Sequence, residues 1–361
     1  MPLTAEERAY RRKRQRRRGR IILGTLFLIF VAIVALIAWL ISLTVHALAP
    51  SFPVPDGVSM PAPTTTYPSL NAEEVTGRVS MDRIVLFDVT HNTVLFEQNA
   101  DVRSFPASTT KLLTAIVACQ YGDPNATYTI GSEQELVVWD ASRAYLLEDT
   151  PYTLAGMLDG LLLPSGADAA YCLAVNVARY HEKNPKLTDK EAVATFVGYM
   201  NDTAAKLGCT NSHFVTPDGY HDDNHYSTAN DMLKISQKAL KIPEIRTSVS
   251  TADSPYGDWS NGNALICPDS GFYYEYATGL KTGTTPEAGF CLAASAEKNG
   301  VQLIAVLFLS DNPDARFLDA KTLFEQGFAL ADNPPTTATP RLFNYFTTAA
   351  PTLPTAALPA A

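Results

Sequence analysis

The 361-residue chain lacks the cysteine and histidine patterns that hold metals in proteins. Its five cysteines are widely spaced and no two form a C-x-x-C pair, which excludes a zinc cluster built on such pairs. The H-E-x-x-H pattern of metalloproteases is also missing. His221 and His225, with the acidic residues between them, leave a metal site as a lesser alternative in a polar loop. We therefore expect no metal and no other cofactor.

Positive charge is scarce beyond the first twenty residues. Residues 1–20 contain nine Lys/Arg and two Glu, a net charge of +7, whereas the whole chain has a net charge of −9. Residues 21–361 therefore have a net charge of −16 (−9 minus +7). Because phosphate groups repel such an acidic body, we expect no nucleic-acid partner.

The chain has one long apolar run, Ile21–Leu43, which contains no charged residue. About twenty such residues span a bilayer as a helix. The preceding basic residues place the N-terminus in the cytoplasm by the positive-inside rule. Ala47-Leu48-Ala49 resembles a signal-peptide cleavage site, but Pro50 and the length of the run favour an uncleaved anchor. We predict a single-pass protein of the cell membrane, anchored through residues 21–45, with its main domain outside the cytoplasm.

Composition divides the rest of the chain. Pro, Ser and Thr dominate the stretch after the apolar run, which predicts an extended linker, and Pro, Thr and Ala dominate the last 29 residues, which predicts a disordered tail. The predicted organisation is a basic cytoplasmic tip (1–20), a transmembrane helix (21–45), a linker (46–74), a folded domain (75–332) and a tail (333–361).

Hydrophobic periodicity predicts an α+β fold for the folded domain. Strands are predicted at both of its ends: 84–87, 94–96, 290–295 and 301–308, with Asn299-Gly300 as a hairpin turn. Helices are predicted at 111–120, 154–163, 167–178, 192–207 and 316–330. This order favours an antiparallel sheet built from N- and C-terminal segments and covered by helices. Trp139 and Trp259 are interpreted as packing residues.

Ser108 and Lys111 form an S-x-x-K pattern at the start of a predicted helix. Their spacing places both side chains on one helix face. A serine hydroxyl needs an adjacent base to act as a nucleophile, and a desolvated lysine is neutral enough to be that base. Taken alone, however, the pattern is also typical of a helix cap followed by a solvated lysine.

Two further short patterns add to this pair. Ser165-Gly166-Ala167 lies between two predicted helices, where Ser165 would relay a proton to a leaving group, or where Ser165 or Asp168 would cap a helix. Lys281-Thr282-Gly283-Thr284 precedes a predicted strand, where Lys281 and Thr282 would hold a substrate carboxylate. The N–H groups of Thr284 and Ser108 would form an oxyanion hole. The alternative for this segment is an exposed turn.

The conjunction of the three patterns is that of penicillin-interacting serine enzymes. The chain resembles the D-alanyl-D-alanine carboxypeptidase family in particular, over about residues 75–330. Further stretches share the resemblance: 107–115, 161–170, 196–201, 207–208 and 226–232. The resemblance implies a β-lactamase/DD-peptidase-like fold, in which an antiparallel sheet packs with helices beside an all-α subregion.

The resemblance also implies roles for individual residues. Ser108 is the acyl-forming nucleophile, Lys111 the base and Ser165 the relay. The segment Lys281-Thr282-Gly283-Thr284 binds substrate, and Arg316 matches a family arginine that faces the substrate carboxylate. The implied reaction removes the terminal D-alanine from peptidoglycan stem peptides, and β-lactams are the implied inhibitors.

Two departures from the family pattern stand out. Ala167 replaces the usual Asn, whose side chain would form hydrogen bonds to the substrate backbone and to the catalytic lysine. We therefore expect altered binding of the substrate. The small β domain and the C-terminal anchor helix of many relatives are not matched, and the N-terminal helix would supply the anchor instead.

Two alternatives remain open. A serine β-lactamase is the first, although no E-x-x-L-N pattern lies between Ser165 and Lys281. The second is a catalytically impaired module that binds peptidoglycan or senses β-lactams, with Ala167 as the mark of lost turnover.

Overall fold

The computed structural model describes residues 69–332. The predicted cytoplasmic tip, transmembrane helix and tail, and most of the predicted linker, lie outside this range. Within it, no helix is long and apolar enough to cross a membrane. The first described helix, Ala72–Thr76, straddles the predicted boundary between the linker and the folded domain.

A five-stranded sheet organises the described residues. In chain order the strands are β1 (Arg83–Asp88), β2 (Thr93–Gln98), the short β3 (Thr127–Tyr128) and β4 (Tyr152–Thr153), β5 (Ala277–Thr285), β6 (Gly289–Lys298) and β7 (Val301–Phe308). The order in the main sheet is β2-β1-β7-β6-β5, and every neighbouring pair is antiparallel. The prediction of a sheet made from both ends of the domain is therefore confirmed.

Helices cover both faces of this sheet. They are α1 (Ala72–Thr76), α2 (Lys111–Tyr121), α3 (Leu154–Leu162), α4 (Ala167–His181), α5 (Asp189–Lys206), α6 (Ala229–Leu240), α7 (Pro243–Val249) and α8 (Ala315–Asp332). A 3₁₀ turn, Ala107–Thr110, leads into α2. Helices α2 to α7 form the predicted all-α subregion, and α8 packs on the other face of the sheet with α1.

Residue alternation along the strands explains the two layers. In β1, Val85 and Phe87 join the core of the all-α subregion, whereas Ile84 and Leu86 join the core under α8. Successive side chains of a strand point to opposite faces, so a strand with buried apolar residues on both faces supports a helical layer on each side. The buried pattern of β1 thus fixes a three-layer arrangement.

The predicted elements agree with the structure at most positions. The hairpin turn at Asn299-Gly300 is confirmed, since both residues have positive φ angles (52° and 80°), as a type I′ turn requires. Three helices were not predicted: α1, α6 and α7. The segment Lys281–Thr284, which was predicted to precede a strand, lies inside strand β5 itself.

Candidate active site

Ser108 and Lys111 lie at the start of the buried helix α2. Ser108 is in the 3₁₀ turn, and Lys111 is the first residue of the helix proper. The Lys111 Nζ lies 3.0 Å from the Ser108 Oγ and donates a second hydrogen bond, of 2.7 Å, to the backbone carbonyl of Asp218. The predicted pairing of hydroxyl and amine is therefore present, and the interpretation as a solvated lysine is wrong.

The environment of Lys111 suits a base. Its side chain is 2% exposed, and burial lowers its pKa from 10.5 to about 8, against the opposing effect of the charges of Asp218 and Asp168. Burial disfavours the ammonium form because the charge loses its hydration. With its pKa lowered to about 8, the neutral amine is a minor but accessible form at neutral pH, and a neutral amine next to a hydroxyl accepts its proton.

The segment 215–219 packs closely on the nucleophile turn. A Cβ added at Gly219, whose φ is +79°, would lie 2.0 Å from the Ala107 carbonyl oxygen, so only glycine allows this approach. The Thr114 hydroxyl, one turn into α2, donates to the Pro217 carbonyl. The acceptor for Lys111 is a backbone group of this segment, which sequence patterns did not reveal, although Pro217-Asp218-Gly219 is typical of a turn.

Strand β5 lies against the same turn from the other side. A Cβ at Gly283 would lie 2.9 Å from the Pro106 carbonyl oxygen and 3.2 Å from the Ser108 nitrogen. The glycine therefore lets the strand backbone approach the nucleophile. The two N–H groups predicted to form the oxyanion hole, those of Ser108 and Thr284, belong to these adjacent segments. The interpretation as an exposed turn is wrong, because these residues belong to β5, the edge strand of the described sheet.

Lys281 and Arg316 add positive charge beside the nucleophile. Lys281 is 1% exposed, and its Nζ contacts only the Thr282 carbonyl and hydroxyl oxygens, at 3.2 and 3.5 Å, among the hydrogen bonds of the described residues. Its pKa is held well below the usual value by burial first, and then by the charges of Lys111 and Arg316. Such a group of mutually repelling cations favours an anionic ligand.

Arg316 extends from the first turn of α8 to β5. Its Nη1 donates to the Gly283 carbonyl at 3.3 Å and to the Thr284 hydroxyl at 3.1 Å. The guanidinium also stacks over the rings of Phe290 and Phe317, with distances of 5.2 and 4.8 Å to the ring centroids. These contacts place the predicted arginine at the same strand as the other substrate-binding residues.

Ser165 is placed by a tight junction between α3 and α4. Its φ is +66°, and its Oγ is buried without a hydrogen-bond partner among the described residues, so it is not bonded to Lys111 here. The preceding Leu163 carbonyl accepts from the Gly262 N–H at 3.0 Å, and a Cβ at Gly262 would lie 3.3 Å from the Thr282 Oγ1. Gly262 thus lies between Leu163, which comes just before the second pattern, and Thr282 of β5.

Helix capping explains the second pattern only in part. The Asp168 carboxylate accepts from the N–H groups of Ala144 and Leu146, at 2.8 and 3.1 Å, and so holds the intervening Tyr145 at a φ of +54° with its ring exposed. Ala167, which replaces the family Asn, is buried against Val137 and Tyr171. The capping alternative is therefore wrong for Ser165, whose Oγ has no partner among the described residues, whereas the Asp168 Oδ1 also accepts from the Ala169 N–H, at 3.1 Å, in the first turn of α4.

A cleft of about 230 Å³ opens in front of the nucleophile. Its lining residues come from four segments: Ser108, Lys111, 140–142, 218–221 and 284–287. Across it, the Tyr220 hydroxyl donates to the Asp140 Oδ1 at 2.9 Å. The adjacent Trp139 is 88% exposed, so its interpretation as a packing residue was wrong, whereas Trp259 is buried as expected.

The histidines of the metal alternative have other partners. The His225 Nε2 lies 2.9 Å from the Thr110 hydroxyl, and His221 faces the carboxylates of Asp223 and Glu287 at 3.6 and 3.7 Å. Among residues 69–332, no group of three or more His, Cys, Asp or Glu side chains has the geometry of a metal site.

Comparison with known proteins adds to this geometry. The family model for D-alanyl-D-alanine carboxypeptidase (peptidase S11) matches residues 70–312. The D-alanyl-D-alanine carboxypeptidase of Streptomyces sp. (strain K15) is 34% identical over 254 residues, which are 66% of this chain and 84% of that protein. The carboxypeptidase DacA of Escherichia coli (strain K12) is 30% identical over 263 residues, which are 70% of this chain but only 61% of that longer protein.

Solved structures give the same comparison in three dimensions. The Streptomyces K15 DD-transpeptidase has a TM-score of 0.62 and 33% identity, covering 70% of this chain and 98% of that one. Penicillin-binding protein D2 of Listeria monocytogenes, solved in its ampicillin-bound form, has a TM-score of 0.57 and 26% identity, covering 69% of this chain and 98% of that one. The antiparallel sheet packed with helices is therefore the mixed α/β fold of these DD-peptidases.

Proposed function

This chain belongs to the D-alanyl-D-alanine carboxypeptidase family of serine hydrolases, and on that premise we propose that it removes the terminal D-alanine from peptidoglycan stem peptides through an acyl-enzyme on Ser108. The observation that supports this proposal most strongly is the buried Lys111 amine, 3.0 Å from the Ser108 hydroxyl.

The proposed reaction begins with proton transfer from Ser108 to neutral Lys111. The Ser108 oxygen then attacks the carbonyl carbon between the last two D-alanines, and the N–H groups of Ser108 and Thr284 stabilise the oxyanion. Thr282, Lys281 and Arg316 bind the terminal carboxylate. The leaving amine receives a proton by way of the Ser165 hydroxyl, whose Oγ has no hydrogen-bond partner among the described residues. Water, deprotonated by Lys111, completes hydrolysis.

We infer that β-lactams acylate the same serine, because the lactam amide offers the same carbonyl to the same nucleophile. The Listeria relative was solved with ampicillin bound, which supports this inference. The expected product is a covalent penicilloyl ester on Ser108. Fast release of that ester would favour the β-lactamase alternative, and slow release would favour the peptidase.

Transpeptidation is a second candidate function. The solved Streptomyces relative is named a DD-transpeptidase. Asp140 and Glu287 line the cleft in front of Ser108, and such carboxylates favour the approach of an amine over that of an anion. In this reaction an acceptor amine, in place of water, attacks the acyl-enzyme and receives the peptide.

The test uses the full chain and its Ser108→Ala variant with a diacyl-D-Ala-D-Ala peptide, with and without glycylglycine as an acceptor amine. Release of D-alanine by the wild type alone, with a hydrolysed peptide as co-product, is the expected result. A glycylglycine adduct as the main product would favour transpeptidation. A wild type that is labelled by a fluorescent penicillin but releases no D-alanine would favour the sensing module, and absence of labelling would contradict the acyl-enzyme itself.

We further propose that the N-terminal segment 21–45 anchors the enzyme in the cell membrane, with its catalytic domain outside the cytoplasm. The length of the apolar run and the basic residues before it support this topology. Protease added to intact spheroplasts should digest the catalytic domain and leave the N-terminal tip protected. Protection of the catalytic domain in intact spheroplasts would contradict the topology.

A further inference from the structure

His225 is a buried polar side chain that the proposed reaction does not use. It is 2% exposed and lies at the end of the loop that contains segment 215–219. Its ring makes contacts on two sides. The Nδ1 accepts from the Val215 N–H at 3.1 Å, and the Nε2 lies 2.9 Å from the Thr110 hydroxyl.

These contacts determine the tautomer of the ring. A backbone N–H only donates, so the Nδ1 that faces Val215 is the unprotonated nitrogen. The proton of the neutral ring is therefore on Nε2, where it donates to the Thr110 oxygen. Burial lowers the pKa of His225 to about 4, with Asp218 and Asp222 opposing this effect and His213 and Lys111 adding to it. The ring is thus neutral at neutral pH and serves as a fixed connector.

The connector joins two parts of the catalytic site. On one side, Thr110 lies between Ser108 and Lys111 in the turn that begins α2. On the other side, Val215 begins the segment whose Asp218 carbonyl accepts from the Lys111 amine at 2.7 Å. The distance between that carbonyl and that amine therefore depends on how the segment is fastened to the turn.

We propose that His225 is a positioning residue, whose neutral ring fastens segment 215–219 to Thr110 and thereby holds the Asp218 carbonyl on the Lys111 amine. The carbonyl, in turn, directs one hydrogen-bond donor of the amine away from Ser108 and keeps the nitrogen 3.0 Å from the Ser108 oxygen. Thr114 assists through its bond to the Pro217 carbonyl. The inference rests on the proposed function only in requiring that Ser108 forms an acyl-enzyme.

Loss of the ring contacts should change both the rate and the pH dependence of acylation. A shift of the lysine nitrogen by a fraction of an ångström lowers the rate by about 10- to 100-fold. A loosened segment also admits water to the amine, which removes part of the burial effect. The acidic limb of the acylation profile should therefore move to higher pH.

The experiment compares full-length His225→Phe, His225→Gln and Thr110→Val with the wild type. Each is labelled with a fluorescent penicillin from pH 5 to 10, and each is followed by thermal unfolding. His213→Phe is the matched control, since it makes the same change at an exposed histidine of the same loop. If the wild type itself is not labelled, the proposed function fails before this inference is tested.

The expected result is a slower, pH-shifted acylation in His225→Phe and Thr110→Val, partial recovery in His225→Gln, whose amide still donates to Thr110, and no change in His213→Phe. Thr110→Val removes one hydroxyl and keeps the shape of the side chain, so it tests the contact even where His225→Phe does not fold. Wild-type rates and an unmoved acidic limb in a folded Thr110→Val would overturn the proposal. A loss of rate without a shift of the limb would do the same, since it would indicate a structural role alone.

Discussion

Lys111 and Lys281 are both buried, and neither amine forms an ion pair with a carboxylate among the described residues. Burial without a counter-ion disfavours the charged form of each amine. At pH values below the pKa of these amines, the site therefore lowers the stability of the folded state. Active sites commonly have such a stability cost, because the reaction needs the less stable arrangement.

Replacing Lys111 with methionine should stabilise the protein while it abolishes acylation. The lowering of the Lys111 pKa from 10.5 to about 8 corresponds to on the order of 3 kcal/mol, and the lost bond to the Asp218 carbonyl offsets about 1 kcal/mol of it. We expect the free energy of unfolding at pH 7 to rise by about 2 kcal/mol, measured by urea denaturation.

The sign of the pH dependence follows from proton linkage. Between pH 8 and 10.5 the unfolded wild type binds more protons at Lys111 than the folded state does, so its stability rises with pH through this window. The advantage of Lys111→Met should therefore shrink as the pH increases to 10.5. Lys190→Met, at an exposed position of α5, is the control and should change little. A Lys111→Met variant that is less stable than the wild type at pH 7 would contradict the prediction.

Restoring the family residue at position 167 should destabilise this chain. Ala167 packs against Val137 and Tyr171, so an asparagine there would enter an apolar cluster. We expect Ala167→Asn to lower the free energy of unfolding by about 1–3 kcal/mol without faster D-alanine release. Ala194→Asn, at an exposed position of α5, should cost only roughly 0.5 kcal/mol in helix propensity. Faster release at unchanged stability would instead indicate that the amide reaches Lys111 or the substrate.

The sequence predicted the side chains of the candidate site better than it predicted the backbone groups of that site. Ser108 and Lys111 were identified because their spacing fits one helical turn and their functional groups are specific. The Asp218 carbonyl was missed because every residue has a carbonyl, and only the folded chain brings this one to Lys111. The exposure of Trp139 was missed for a related reason. A loop has no regular hydrophobic periodicity, so the sequence does not indicate whether an aromatic residue in it is buried or exposed.

At the scale of the elements, β5 completes the site by lying against the nucleophile turn. It was not predicted as a strand because Lys281-Thr282-Gly283-Thr284 lacks the alternating apolar residues of a half-buried strand. Its pairing with β6, which matches Lys281 with Ala293 and Gly283 with Cys291, holds it in place instead. Tertiary pairing thus overrides the weak local preference of glycine and the charge of lysine.

A methyl group at position 283 should separate β5 from the nucleophile. The added carbon of Gly283→Ala would lie 2.9 Å from the Pro106 carbonyl oxygen, so the strand or the turn must shift. We expect the rate of penicillin labelling to fall by about 100-fold while the protein remains folded. Gly198→Ala is the matched control, because its methyl group meets nothing within 4 Å and should leave labelling unchanged. Wild-type labelling by Gly283→Ala would contradict this account of the strand.

At the scale of the whole molecule, residues 69–332 contain both helical layers, the complete sheet and every predicted site residue. We therefore expect a fragment of these residues to unfold cooperatively and to be labelled by penicillin at close to the rate of the full chain. Circular dichroism and labelling would test this, with Ser108→Ala in the same fragment as the unlabelled control. A fragment without a cooperative transition would mean that residues outside this range support the fold.

The sheet also has a consequence for biosynthesis. Strand β1 pairs with β7. Ser108 faces β5, which is synthesised roughly 170 residues after it. Pairings so distant in sequence close slowly and only after the last strand is available. A growing chain therefore passes through the ribosome and any export channel with its nucleophile present but unassembled. Reactivity toward β-lactams should first arise when β7 has emerged, so nascent chains that end before Val301 should escape labelling altogether.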